Sequence, residues 1–143
     1  MATNVGFHRV LVPVVSSEEA ERAVDLACRL ASTHHSVVTL LAVVKIPPLL
    51  PLDAHMRDQE QLARQLLARM SAIVDSYDVG VARHMTRSRD VAAAVVAEAE
   101  ATSSELIIIS TVAGKTAEHV LKHARCRVML VGAPEAAVAA FAA

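Results

Sequence analysis

Short apolar runs alternate along the chain with longer segments whose apolar residues recur every three or four positions. The short runs are typical of buried strands, and the helical period is typical of amphipathic helices that pack on a sheet. The alternation predicts five strands and four helices in the order βα repeated. The predicted strands cover 10–12, 37–44, 79–86, 106–109 and 128–131, and the predicted helices cover 17–33, 62–77, 91–99 and 117–124.

The character of each run indicates its place in a sheet. Runs 37–44 and 106–109 are apolar on both faces, which is typical of central strands of a parallel sheet. Run 79–86 alternates with polar residues, so we predict it at a sheet edge. Strands linked by helices form parallel sheets with right-handed crossovers and helices on both faces. The sequence therefore predicts a single-domain α/β fold, a Rossmann-like or flavodoxin-like sandwich with a five-stranded parallel sheet.

Local signals predict the helix starts and the faces that they bury. Ser16 with Glu19 fits a capping box before the first helix, and Ser88 or Asp90 could cap the third. The prolines in 46–51 exclude a regular helix there and predict a loop. The predicted buried positions of the second helix are Leu62, Leu66, Met70, Ile73 and Tyr77, and those of the fourth are Ala117, Val120, Leu121 and Ala124.

Composition narrows the class of protein. The 143 residues are 54% hydrophobic and only 2% aromatic, with 14 basic against 15 acidic side chains, which predicts no nucleic-acid partner. We expect a cytoplasmic protein without membrane insertion, since no signal segment or membrane-length run is present. Cys28 and Cys126 are expected to be buried thiols. The predicted organisation is a leader at 1–8, a domain at 9–132 and an Ala-rich tail at 133–143.

Two parts of the chain carry a family resemblance, an opening part in 9–14 and 17–20 and a more specific closing stretch in 114–131. On these residues the chain resembles the universal stress protein family from about Arg9 to Val131. The resemblance implies the sheet order 3-2-1-4-5 and a homodimer joined through the last strands. The last strand is apolar on both faces although it would be an edge, which independently favours self-pairing. The predicted dimer residues are Val128, Met129, Leu130 and Val131.

The resemblance also implies a nucleotide site, which this chain changes. ATP-binding members carry an Asp after the first strand, where Val15 stands here. They also carry Gly-x2-Gly-x9-Gly-[Ser/Thr] after the fourth strand, of which Gly114 remains, with Lys115 at the Ser/Thr position. The resemblance thus implies a branch without the full ATP motif and a vestigial nucleotide or anion site. The positions carried over to that site are Pro13, Val15, Val43, Ile109, Gly114, Lys115 and Thr116.

Other candidate chemistry has simpler explanations. Gly114-Lys115-Thr116 is not a P-loop, because Ile109 occupies the position of the motif's first glycine. His119 and His123 could face one metal ion from one helix face, but we favour structural packing, and we predict no metal site and no catalytic residue. The carboxylates expected to be solvated surface groups are Glu98, Glu100 and Glu105.

The function expected from these features is that of a regulatory, stress-response homodimer that works by protein contact. We expect no enzymatic activity and no cofactor, with ATP and other adenine nucleotides less favoured. One alternative is a regulatory domain associated with an amino-acid or ion transporter. The loop at 47–54 resembles the transporter-associated branch of the family more than the ATP-binding branch. The other is an altered-site binder of ATP or AMP, or a slow ATPase, that uses Gly114, Lys115 and Thr116.

Overall fold

The computed structural model describes residues 7–15, 17–31 and 35–132. Strands and helices alternate throughout these ranges, as the sequence pattern predicts. The strands are β1 (Arg9–Pro13), β2 (Val37–Lys45), β3 (Gly80–Ser88), β4 (Leu106–Ser110) and β5 (Arg127–Val131). The helices are α1 (Ser17–Leu30), α2 (Arg57–Asp75), α3 (Val91–Ala101) and α4 (Lys115–His123), with a 3-10 turn at Thr111–Ala113.

The five strands form one parallel sheet in the order β3-β2-β1-β4-β5. This confirms the predicted fold class, the order that the family resemblance implied and the edge position of the polar third strand. The pairing of β2 with β3 runs the length of both strands, from Val37 opposite Gly80 to Lys45 opposite Ser88. The pairing of β1 with β4 aligns Val10 with Leu106 and Leu11 with Ile107.

Alternate residues of the central strands enter two separate hydrophobic layers. Val10 and Val12 pack with the residues of α1 and α2, whereas Leu11 packs on the opposite face with α3 and α4. All three side chains are fully buried, as are Ile107 and Ile108 of the neighbouring strand. Burying an aliphatic side chain of this size stabilises a fold by about 1.5–3 kcal/mol. The two layers explain why the sequence of the central strands is apolar on both faces.

The buried face of α2 differs from the predicted one. Leu62 is 65% exposed, although its spacing from Met70 places it on the predicted stripe. The first turns of α2 border a crevice at the ends of β1 and β2, so Leu62 faces open space instead of packed side chains. Tyr77 follows the end of the helix at Asp75 and is half-buried. The residues of α2 that are buried are Leu67, Met70, Ser71 and Val74.

Leu121 of α4 is a second wrong prediction, because its side chain is 47% exposed. Ala117 and Val120 fill the inner face of the helix. Since one residue advances about 100° around a helix, Leu121 turns away from the layer that Val120 enters. β5 is an edge strand, and no other strand of the described residues lies beyond it.

Asp90 caps α3, which confirms one of the two caps predicted from the sequence. Its carboxylate accepts a hydrogen bond from the Ala93 amide at 3.1 Å. The Ser88 hydroxyl also contributes, since it accepts from the Asp90 amide at 3.0 Å and donates to the Asp90 carbonyl at 2.9 Å. The predicted cap Ser16, the predicted end of the first helix at Thr33 and the tail at 133–143 lie outside the described residues.

Candidate functional site

A crevice of about 400 Å³ opens above the carboxyl ends of β1 and β2. The first turns of α2 form one wall and Val91, at the start of α3, closes the other side. Ligands of open parallel α/β sheets bind outside the carboxyl ends of the strands. The crevice is therefore where the fold predicts a binding site.

The backbone after β1 brings Val15 to this crevice. The Val14 amide donates to the Leu41 carbonyl at 2.8 Å, which extends the β1–β2 pairing beyond Pro13. Val14 is buried by this arrangement, whereas the next residue, Val15, is 66% exposed. A valine side chain offers no hydrogen bond, so the position that follows β1 contributes an apolar surface.

The lining of the crevice is predominantly apolar. Two of the thirteen residues that line it, Lys45 and Gln59, have polar side chains. Both are exposed, Lys45 at the end of β2 and Gln59 in the first turn of α2. The remaining lining residues are Pro13, Val14, Val15, Leu41, Ala42, Val43, Val44, Leu62, Ala63, Leu66 and Val91.

Much less space is available on the other side of β1, where the strand order reverses. The cavity between β1 and β4 holds about 20 Å³, and Pro13, Val15 and Ile109 line it. Space of this size admits about one water molecule, so this cavity is too small for a larger ligand. Of these two spaces, the one large enough for a small molecule lies over β1 and β2, to one side of the usual switch-point position.

The connection between β4 and α4 is short and depends on a glycine. Four residues, the 3-10 turn Thr111–Ala113 and then Gly114, connect β4 to α4. Gly114 has φ 61° and ψ −118°, a conformation that glycine adopts readily and other residues rarely do. Its carbonyl accepts from the Glu118 amide at 3.1 Å, so the residue forms the N-terminal cap of α4.

The structure divides the candidate residues into three locations. Pro13, Val15 and Val43 line the large crevice, and Ile109 joins Pro13 and Val15 at the small cavity. Gly114, Lys115 and Thr116 lie at the start of α4 and line neither space. The lining residues that the sequence reasoning did not assign to the site are Val14, Leu41, Ala42, Val44, Lys45, Gln59, Leu62, Ala63, Leu66 and Val91. A polar residue directly after an apolar strand, as Lys45 is, was the available signal.

The loop that follows β2 presents leucines to solvent. Leu49 is 96% exposed, Leu52 is 52% exposed and Leu50 is 41% exposed. Two turns shape this part of the chain, with the Leu50 amide donating to the Pro47 carbonyl at 3.1 Å and the Ala54 amide donating to the Pro51 carbonyl at 3.0 Å. We call residues 47–54 the leucine loop.

Two arginines hold the leucine loop in place, one near the end of β3 and one directly after it. Arg87 donates to the Ala54 carbonyl at 2.6 Å and forms an ion pair with Glu60 of α2. Arg89 donates to the Pro47 carbonyl at 2.8 Å. Below the loop, Ile46 is fully buried in a small cluster with Val44 and Met56. The exposed leucines therefore sit on a fixed support.

The titratable groups of the described residues are consistent with structural roles. Burial, together with nearby Asp25, raises the pKa of the Cys28 thiol to about 11. Cys126 is half-buried where we expected it buried, and partial burial also raises its thiol pKa. The rings of His119 and His123 stack with centroids 4.1 Å apart, and no group of three metal-ligating side chains is found within the described ranges.

Of the three carboxylates expected to be solvated surface groups, Glu100 and Glu105 are exposed as predicted and Glu98 is half-buried, and all three have a partner. The Glu105 carboxylate accepts from the backbone amides of His8 and Arg9 at 2.6 and 3.0 Å. Glu98 pairs with His84, and Glu100 lies 3.3 Å from the Arg125 guanidinium. These contacts join elements that are distant in sequence, so sequence spacing could not indicate them. In the described part of the chain, no helix is both long and apolar enough to cross a membrane.

A parallel sheet of order 3-2-1-4-5 with helices on both faces defines an open α/β protein of the Rossmann-like or flavodoxin-like class. The sequence profile of the universal stress protein family matches residues 6–132. The chain therefore belongs to the universal stress protein family. A comparison with curated protein sequences found no match.

Solved structures of the same family have the same fold. A universal stress protein family member from Burkholderia pseudomallei is 25% identical, with a TM-score of 0.74 over 93% of this chain and 100% of that chain. A universal stress protein from Archaeoglobus fulgidus in complex with dAMP is 18% identical, with a TM-score of 0.74 over 85% and 95%. A universal stress protein in complex with cAMP is 15% identical, with a TM-score of 0.71 over 88% and 97%. The last two likenesses concern the fold alone.

Proposed function

We propose that this chain is a regulatory homodimer of the stress response whose output is contact with another protein. The observation that carries the proposal is the leucine loop, in which Leu49, Leu50 and Leu52 face solvent on a fixed support. Contiguous exposed apolar side chains mark interaction surfaces more often than chance. A loop already ordered by Arg87 and Arg89 loses little conformational entropy when a partner binds.

The partner contact is tested by crosslinking in the source cells followed by purification of the chain. We expect a Leu49→Asp, Leu52→Asp double variant to lose its partner, because a carboxylate at each position cannot be desolvated in an apolar interface. A Leu121→Asp variant is the matched control, since Leu121 is also exposed but lies on α4. A captured partner that remains with the loop variant would refute the proposal. Capture of a membrane transporter would support the transporter-associated alternative.

The homodimer is proposed to form through β5. Val128, Met129 and Val131 are half-buried and Leu130 is 41% exposed, so the apolar edge strand is incompletely covered by its own chain. An exposed apolar strand edge is a pairing surface, and a two-fold axis would cover it on both copies.

Sedimentation velocity tests the dimer. We expect Leu130→Lys to sediment as a monomer, because it places a charge in the interface, and Leu49→Lys to remain dimeric. A Leu130→Lys variant that stays dimeric would contradict pairing through β5. A monomeric Leu49→Lys variant would move the interface to the leucine loop.

The proposed function does not use ATP. Val15 supplies no hydrogen bond to a nucleoside, and the four residues between β4 and α4 contain one glycine, Gly114. Phosphate-binding loops rely on glycines that let several backbone amides approach the phosphates. We expect calorimetric titration with ATP and Mg²⁺ to give no heat of binding at millimolar nucleotide. Micromolar affinity would overturn this part of the proposal.

Binding of a nucleoside monophosphate such as AMP is the second candidate function. The crevice favours it by position, and two structural neighbours are complexes with dAMP and cAMP. Lys115 and Thr116 lie at the start of α4 and outside the crevice, so the single phosphate would extend past the crevice to reach them. This candidate predicts AMP binding that weakens in Lys115→Met. AMP binding that is unchanged in that variant would exclude this use of α4.

A further inference from the structure

We propose that the crevice over β1 and β2 binds a small amphipathic monocarboxylate. The apolar body of the ligand lies between β2 and the first turns of α2, and its carboxylate meets Lys45. The proposal is independent of the partner contact at the leucine loop and competes with the nucleoside monophosphate for the same space.

The walls of the crevice select an apolar ligand. Val15 and Leu62 leave about two thirds of their side chains exposed, at 66% and 65%, and both face the crevice. Leu66 and Val43 are half-buried at its sides. Removing these apolar surfaces from water favours binding of a molecule whose own surface is apolar. Hydrogen-bonding groups of a ribose would find no partner at Val15.

The volume limits the size of the ligand. A crevice of about 400 Å³ is within the range of natural ligand sites. At about 30 Å³ for each water-sized group, it holds on the order of a dozen non-hydrogen atoms. A medium-chain carboxylate such as decanoate is of this size, whereas a nucleoside triphosphate is much larger.

The charge of the lining selects the head group. Among the described residues that line the crevice, Lys45 alone is charged, and Gln59 adds an amide donor. Among the described residues, no carboxylate forms an ion pair with the Lys45 ammonium. One ammonium group with one amide matches one carboxylate, because a lysine acts as a single point charge. A multiply charged phosphate chain would leave most of its charge unpaired here.

The test is calorimetric titration of the full chain with decanoate, below its micelle-forming concentration, and in parallel with decylamine and AMP. We expect decanoate to bind at one site per chain. Leu62→Glu and, separately, Val15→Glu should each weaken binding at least tenfold, since a carboxylate at the wall repels the ligand. Lys45→Met should lower the affinity for decanoate about fivefold, as expected for the loss of an exposed ion pair. The variant should also discriminate less between decanoate and decylamine.

Matched controls exclude a general surface effect. Leu121→Glu introduces the same charge at another exposed leucine, and Lys115→Met removes a lysine outside the crevice. Both controls should bind decanoate as the unmodified chain does. No decanoate binding, equal weakening by the controls, full affinity in both folded Glu variants, or tighter binding of AMP than of decanoate would each overturn the proposal. Circular dichroism verifies that the variants are folded.

Discussion

Glu105 ties the start of β1 to the start of β4, and its substitution is a direct test of the fold. Its amide donates to the Arg9 carbonyl at 2.8 Å, and its carboxylate accepts from the amides of His8 and Arg9. The regular β1–β4 pairing starts one residue later, where Val10 is opposite Leu106. The side chain therefore extends a ladder that joins two central strands distant in sequence.

The expected cost of Glu105→Gln follows from these bonds. Bonds to a charged acceptor can contribute about 1.5–3 kcal/mol each, but Glu105 is exposed and water screens it. We therefore take about 0.5 kcal/mol for each of the two amides, near the lower limit for a neutral bond, or about 1 kcal/mol in all. For a chain of this size that lowers the melting temperature by roughly 3–5 °C.

The pH dependence separates the charge of Glu105 from its shape. The amides of His8 and Arg9 lower the pKa of this carboxyl below its ordinary value of 4.5. Its contribution is therefore complete above the unfolded pKa near 4.5 and is lost as pH falls through the lower, folded pKa. The difference in melting temperature between the native chain and Glu105→Gln should be constant from pH 6 to 8 and shrink below about pH 4.5.

Thermal unfolding followed by circular dichroism measures this difference. Glu118→Gln is the control, because Glu118 pairs only with Lys122 on the exposed side of α4 and should change stability by less than about 0.5 kcal/mol. Equal melting temperatures of the native chain and Glu105→Gln at pH 7 would refute the role of the carboxylate. A difference that persists unchanged at low pH would refute the charge-based explanation.

Three further predictions test the core, a cap and the thiols. Met70→Ala should lower the free energy of unfolding in urea by about 2–5 kcal/mol, since Met70 is fully buried, while Leu49→Ala should change it by less than about 0.5 kcal/mol. Asp90→Ala should cost about 1 kcal/mol by the same assay and Asp90→Asn much less, because asparagine also caps helices; equal costs would contradict the cap. Iodoacetamide at pH 8 should modify Cys126 slowly and Cys28 only on unfolding, as mass spectrometry would report; rapid labelling of native Cys28 would contradict its burial and its pKa near 11.

The elements of the fold could be predicted from the sequence because hydrophobic periodicity reports directly on which faces are buried. The apolar runs at 37–44 and 106–109 are central strands, and the more polar third strand is an edge. The order of the strands is a different kind of information. Periodicity does not state which strands are neighbours, so the order was expected only through the family resemblance at 9–20 and 114–131.

Leu62 shows where periodicity stops being informative. Its spacing is correct for a buried stripe, but burial also requires a surface that packs against the side chain, and at Leu62 α2 borders an open crevice. The same geometry makes Leu62 part of the crevice. Lys45 is a similar case, since only the packing of α2 against the end of β2 brings it beside an apolar space.

The sequence by itself determined the α/β alternation, the apolar position Val15 and the short glycine-dependent turn before α4. These are properties of neighbouring residues, and local chemistry decides them. Tertiary structure alone decided that the larger space lies over β1 and β2, that Lys45 borders it and that Glu105 binds the start of β1. Each of these depends on contacts between segments far apart in the chain, and the three-dimensional packing of the sheet and helices brings those segments together.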